Sequence, residues 1–322
     1  MVLLMLVLTL LGAEAIARAA DPLLVEPSRW PTDQISAKAA QIQEISRSES
    51  SVDVVFLGSS AVALGIDPVA FNDEGSSLVA FNAALNGASV RGMERWTSEA
   101  VIPTLNPRIA VIGVITRDLN DRSLSAAEFL QTMAVADGWR DFDERNVFER
   151  VLDNIRDSSA FLRLRPLIRT PATTVRRILA GELILDEVGP FGSEAAVGAP
   201  RPYEFNEWRS QWRNSHLNDY VIGGTELEAL DSVLANLTSR GIDVWLVEMP
   251  IHPDYLRVQP GGSEAISEFH TLVEDLTTSH DVSLVDMRSE FGVNDFRDPA
   301  HLNRLAAREM ADRLHSLLDS DK

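Results

Sequence analysis

Five short runs rich in Val, Ile and Leu recur along the chain with stretches of helical spacing between them, and this alternation leaves few architectures open. The runs are Val52 to Leu57, Leu78 to Phe81, Ile109 to Ile115, Ile242 to Val247 and Val282 to Val285. Near-continuous apolar strands are buried on both faces, which is the condition of a parallel sheet covered by helices. The helical patterns are Val90 to Leu105, ended by Pro107; Thr225 to Ser239, ended by Gly241; Ser263 to Thr278; and Leu302 to Leu318. The expectation is an α/β protein, a three-layer α/β/α sandwich around a central parallel sheet.

Two segments do not fit the repeat. Between the third and fourth strands, residues 122–223 are far too long for an ordinary crossover and must carry structure of their own. Asp143 to Arg156 and Ser159 to Ile168 have helical spacing, and Gly189 to Pro202 reads as loop. Arg163, Arg165, Arg169, Arg176 and Arg177 make this helical insertion locally basic, as solvated helix faces or as an anion-binding lid. At the other end, Met1 to Ala13 is apolar apart from Thr9, and Ala17-Arg18-Ala19 offers a small-x-small cleavage site. Residues 1–20 are therefore read as a signal peptide or N-terminal membrane anchor, 21–51 as a linker, and 52–322 as the folded domain. Either reading of the first segment puts the rest of the chain outside the cytoplasm.

Composition removes whole classes of function. With 322 residues, 45% of them hydrophobic, the chain can bury a sizeable core. The absence of cysteine excludes thiolate nucleophiles and Cys-based metal sites. A net charge of −19 repels nucleic acid, so no nucleic-acid partner is expected. No two of the six histidines stand three or four residues apart, as helical metal pairs do, and neither glycine-rich nucleotide motif is present. No metal or cofactor is called for.

The remaining chemistry gathers at two places. Gly58-Ser59-Ser60 directly follows the first strand, and ligands collect at the carboxyl ends of strands in an open parallel sheet. Either serine could instead cap the next helix. Val62 stands where the α/β-hydrolase elbow would need its second glycine. Near the far end, Asp298-Pro299-Ala300-His301 precedes the last helix. A serine hydroxyl attacks an ester only when an imidazole takes its proton and a carboxylate orients that imidazole, and this short segment can supply both. His252, after the fourth strand, reaches the same edge as a cleft-lining or structural loop residue.

Phe56-Leu57-Gly58-Ser59-Ser60, Phe81-Asn82-Ala83-Ala84-Leu85-Asn86-Gly87-Ala88-Ser89 and Asp298-Pro299-Ala300-His301 stand in the order of the SGNH (GDSL-like) hydrolase blocks. The chain resembles that superfamily, and within it the membrane-anchored extracytoplasmic branch with the teichoic acid D-alanyl transfer protein and the alginate O-acetylation proteins. The resemblance implies a flavodoxin-like, SGNH-hydrolase-like sheet with Ser60 as nucleophile, His301 as general base and Asp298 as its orienter. It places the backbone N–H groups of Ser60 and Gly87 in the oxyanion hole. Where the family reads Gly-x-Asn-Asp, this chain has Ile115-Thr116-Arg117-Asp118, so Arg117 replaces the third oxyanion donor or clamps an anionic part of the substrate, and Asn86 and Asn120 are further candidate donors. The implied activity is acyl transfer through an acyl-serine, to water or to a sugar hydroxyl, with an acylated carbohydrate or other ester as substrate. Transfer would bring in a membrane-bound O-acyltransferase as partner. A non-catalytic glycan-binding or assembly protein on the same fold, and a lipid esterase with the insertion as lid, are the rival readings.

Overall fold

The computed structural model describes residues 2–20, 34–48, 50–73, 77–136, 138–142, 158–163, 188–194 and 205–320. The five apolar runs form one sheet from β1 (Val54–Gly58), β2 (Ala80–Asn82), β3 (Ile109–Val114), β4 (Asp243–Glu248) and β5 (Ser283–Asp286), in the order β2-β1-β3-β4-β5. Every neighbouring pair is parallel. The chain moves from β1 to one side and then crosses back over it to β3. This reversal leaves a crevice at the carboxyl ends of β1 and β3, where open sheets of this order hold ligands.

Alternate residues serve two cores. Val55, Leu57, Ala110, Ile112, Val244 and Leu246 face one way, and Val54, Phe56, Val111, Trp245 and Val247 the other. The first face is covered by α2 (Gln34–Arg47), α4 (Val90–Trp96), α7 (Gly224–Ser239) and α8 (Gly262–His280). The second is covered by α3 (Ser60–Ala63), α6 (Phe205–Ser215) and α9 (Arg304–Ser320). Each large side chain so buried contributes roughly 1.5–3 kcal/mol by leaving water. This is the three-layer α/β architecture expected.

Several boundaries differ from the sequence expectation, each for a local reason. The expected helix from Val90 runs on past α4 as a π-helical stretch, Thr97–Val101, and a final turn, Ile102–Leu105. Pro103 lacks the N–H that an α-helical bond to residue 99 would need, which accounts for the wider turn before it. The last helix begins at Arg304 rather than Leu302, because the Asn303 side chain caps it by accepting from the N–H groups of Leu305 and Ala306 at 3.0 and 3.1 Å. His301 and Leu302 instead form β7 (His301–Leu302), antiparallel to β6 (Phe296–Asp298).

The linker expected over residues 21–51 is corrected in its second half. Residues 34–47 are the helix α2, whose Ile35, Ala39 and Ile42 are buried in the first core. Gly138 bonds through its N–H to Ser36 Oγ at 2.8 Å, and Trp139 packs beside Trp96 at 6.1 Å. In front of α2, α1 (Val2–Ala20) leaves Met5, Leu10, Leu11 and Ile16 exposed. Its Glu14 accepts from Ser159 Oγ at 2.7 Å and from the N–H groups of Ala160 and Phe161 at 3.1 Å, bonds that hold its carboxyl down at about 2. No helix among the described residues is long and apolar enough to cross a membrane. In the insertion, α5 (Leu124–Val135), a turn at Ala160–Arg163 and α6 are helical. The helix expected over Asp143 to Arg156, most of that over Ser159 to Ile168, and Arg165, Arg169, Arg176 and Arg177 lie outside the described residues.

Candidate active site

β1 delivers Ser60 to the crevice through a turn that only small residues allow. Gly58 sits at φ +150°, and a Cβ there would lie 2.5 Å from Val62 Cγ2 and 2.6 Å from the Gly113 carbonyl oxygen. Gly113 is its register partner on β3, where a Cβ would come 2.3 Å from the same Val62 methyl and 2.7 Å from Met249 Sδ. The two glycines together make the floor on which α3 starts. Ser59 takes the helix N-cap by its carbonyl, which accepts from Val62 and Ala63 at 3.0 Å. Its hydroxyl does no capping and donates to Asp118 Oδ2 at 3.1 Å. Ser60 begins the first turn, so its backbone N–H is one of those without an acceptor inside the helix.

His301 arrives from the other end of the chain on the β6–β7 ribbon. Asp298 Oδ1 accepts from the N–H groups of Ala300 and His301 at 3.0 and 3.1 Å, which folds the Pro299-Ala300 turn tightly. The carboxylate also meets His301 Nδ1 at 2.9 and 2.8 Å, and His301 Nε2 lies 2.8 Å from Ser60 Oγ. A carboxylate only accepts, so Nδ1 carries the ring proton and Nε2 is left to accept from the Ser60 hydroxyl. Burial pushes the Asp298 carboxyl up, but the His301 charge and hydrogen bond together with the Ala300 N–H and Arg297 outweigh it and hold it below its ordinary value. Ser60, Asp298 and His301 are thus brought together at one edge of the sheet.

Gly87 follows β2 in a turn from Leu85 to Ala88. The Ala88 N–H closes it on the Leu85 carbonyl at 3.1 Å, and Gly87 occupies its third position at φ +77°. That is the type II turn, whose third residue needs the left-handed region that glycine adopts without strain. The loop is tied to β1, with Ala83 N–H on the Phe56 carbonyl at 2.9 Å and Leu85 N–H on the Gly58 carbonyl at 3.0 Å.

The four other residues singled out in the sequence are each held by neighbouring groups. Arg117 is 5% exposed, and its Nε and Nη2 donate to Asp118 Oδ1 at 3.1 and 3.0 Å, with Nη2 also on the Ala88 carbonyl at 3.3 Å. Its charge is matched by a buried carboxylate, and the same bonds commit two of its three nitrogens. Asn120, beyond the carboxyl end of β3, is buried, 1% exposed. Its Nδ2 donates to the carbonyls of His216 and Asn218 at 2.9 and 3.3 Å, and its Oδ1 accepts from Val221 at 3.0 Å, so it pins the end of the insertion. Asn86 is bound by Gln34 and Glu194. His252 takes the structural role: its Nδ1 accepts from the Asp254 N–H at 3.0 Å, its ring packs on Phe296 at 5.5 Å, and its N–H holds the Pro299 carbonyl at 3.0 Å.

Residues that sequence reasoning missed come from α6. Trp212 lies edge-on to the His301 ring at 6.3 Å, stacks on Trp208 at 4.8 Å, and touches His216 at 4.6 Å. His216 Nδ1 is 2.7 Å from Ser125 Oγ and 3.4 Å from Arg117 Nη1. A guanidinium never accepts, so the proton of His216 resides on Nε2. Burial, then the Arg117 and His301 charges, push this imidazole down to about 3. The signal was present as Trp208, Trp212 and His216 at four-residue spacing, one face of a helix.

No protein-family model and no curated protein matches the sequence. Solved structures similar to it include a GDSL-like lipase from Bacteroides thetaiotaomicron VPI-5482, at 10% identity and a TM-score of 0.43 over 89% of this chain and 99% of that one. A psychrotrophic esterase from Pseudoalteromonas sp. shares 12% identity at a TM-score of 0.40 over 83% and 98%. A carbohydrate acetylesterase family member from Sinorhizobium meliloti shares 13% at 0.37 over 83% and 97%.

Proposed function

We propose that the protein is a serine ester hydrolase of the SGNH type, with Ser60 as nucleophile, His301 as general base and Asp298 as its orienter. The observation that carries the reading is the unbroken chain from Asp298 through His301 to Ser60 Oγ, with 2.8 Å on each side of the imidazole, at the carboxyl edge of β1. The Ser60 oxygen attacks an ester carbonyl while its proton passes to His301 Nε2. The oxygen that takes up negative charge is met by the N–H groups of Ser60 and Gly87. His301 then gives its proton to the departing alcohol, leaving an acyl-Ser60. A water, deprotonated by the same nitrogen, cleaves that ester and restores the serine. Replacing water by a sugar hydroxyl makes the same intermediate an O-acyltransferase. That alternative, an acylated glycan as substrate and a location outside the cytoplasm rest on the block order and the apolar start of the chain.

Reaction with a fluorophosphonate tests the reading directly. Wild type should be labelled and turn over a small acyl ester, and Ser60→Ala should lose the label and at least ~10⁴ in kcat, the scale on which triad members act, at an unchanged thermal midpoint. Equal labelling of the two proteins overturns it and favours a binding protein on this fold.

A further inference from the structure

α2 reaches the loop that precedes Gly87 with one polar face. Gln34, Lys38 and Gln41 recur at helical spacing, Lys38 buried and the two glutamines half-buried, and all three bond to other segments. Gln41 takes hold of the 188–194 segment, donating to the Gly189 carbonyl at 3.1 Å and accepting from the Gly192 N–H at 2.9 Å. Lys38, wholly buried, donates to the Ala84 carbonyl and pairs with Glu194 at 2.9 Å, and the other oxygen of Glu194 accepts from the Asn86 side chain. Gln34 grips the Asn86 backbone at both ends: its Oε1 accepts from the Asn86 N–H at 2.8 Å, and its Nε2 donates to the Asn86 carbonyl at 2.9 Å.

The second of those bonds has a stereochemical consequence. The Asn86 carbonyl and the Gly87 N–H belong to one planar trans peptide, so they point in opposite directions and turn together. That peptide is also the central unit of the Leu85–Ala88 turn. Types I and II of a β-turn differ by a half-rotation of this unit, which would carry the Gly87 N–H to the other side. Glycine at the third position permits both. We propose that Gln34 is a positioning residue which, by holding the Asn86 carbonyl, locks the central peptide of the turn and so aims the Gly87 N–H at the oxyanion. α2 is then part of the catalytic apparatus, through contacts that lie outside the sequence blocks. The inference rests on the esterase reading for the word oxyanion, and on the turn alone for the lock.

The test compares Gln34→Leu, which loses both bonds, with Gln34→Lys, which can still donate to the Asn86 carbonyl. On a small neutral ester, Gln34→Leu should lower kcat by ~10–100-fold, short of the ~10²–10³ for outright loss of a donor, with KM within about threefold. A boronic acid that forms a tetrahedral adduct on Ser60 should bind more weakly by the same factor. Gln34→Lys should recover most of both. Loss confined to KM, or Lys and Leu variants equally impaired, overturns the proposal. Amide hydrogen exchange over residues 83–89 gives a second readout that needs no turnover. Faster exchange there in Gln34→Leu, with the sheet amides unchanged, supports the lock even in a protein that fails the fluorophosphonate test, and unchanged exchange overturns it whatever the activity.

Discussion

His216 and His301 both lie against Trp212, yet one faces a guanidinium and the other a carboxylate. The difference is a statement about stability. The unfolded chain protonates residue 216 near the ordinary 6.5, whereas the native imidazole, buried beside Arg117, refuses the proton until about 3. Over that window the unfolded state binds more protons, so stability is complete above pH 6.5 and drains away as pH falls toward 3. Denaturant unfolding of wild type and His216→Asn between pH 7 and 5 should show the wild type losing stability more steeply on acidification, by up to about 1.4 kcal/mol per pH unit for one proton. Parallel slopes would place the native imidazole in contact with solvent. Why the sequence shows Arg117 only as an oxyanion donor or substrate clamp, and does not show its contact with His216, is visible at this scale as well. The side chain of Arg117 is long enough to fold back on its own neighbour Asp118, and nothing in residue order announces a contact between positions 117 and 216.

Among the elements, the junction of β1, α3 and β3 is the least tolerant of added volume. Val62 is β-branched and stiff, and it fills the space over Gly58 and Gly113. Gly113→Ala should cost about 1–3 kcal/mol in denaturant unfolding, the usual range for overpacking, and should slow fluorophosphonate labelling because α3 carries Ser60. Gly113→Ala/Val62→Ala should regain more than half of both; no recovery would show that the strain lies with Met249 instead. Such elements were legible in the sequence because their burial is plain. Strands covered on both faces write an unbroken apolar run, and Asp298 and His301 stand in one short segment whose order survives folding. α2 was not legible for the opposite reason: Gln34, Lys38 and Gln41 are polar side chains directed into the protein, and a reading by hydropathy takes them for solvent-facing. The prolines at 22, 27 and 31 strengthened the impression of a linker.

For the whole molecule, the two N-terminal helices divide unequally. α1 is held through Glu14 and Arg18 to residues 158–161, whereas α2 lies in the first core and grips the Asn86 turn. A chain beginning at residue 21 should unfold within about 2 °C of the full chain, while one beginning at residue 48 should lose well over ~3 kcal/mol, since buried Ile35 and Ile42 alone are each worth large-to-small core losses. Equal midpoints for the two truncations would deny α2 its place in the core.

Ser60 and His301 are separated by 241 positions and meet only across the finished sheet. During synthesis Ser60 therefore leaves the ribosome long before His301 has been made, and a nascent or C-terminally clipped chain carries a hydroxyl without that imidazole beside it. Contacts of such range form late, because closing the intervening chain must be offset by the contacts that follow. On the esterase reading proposed above, the activity of the site is a certificate of completion: it is expected only once the last ribbon and helix dock, with any unfinished copy chemically silent.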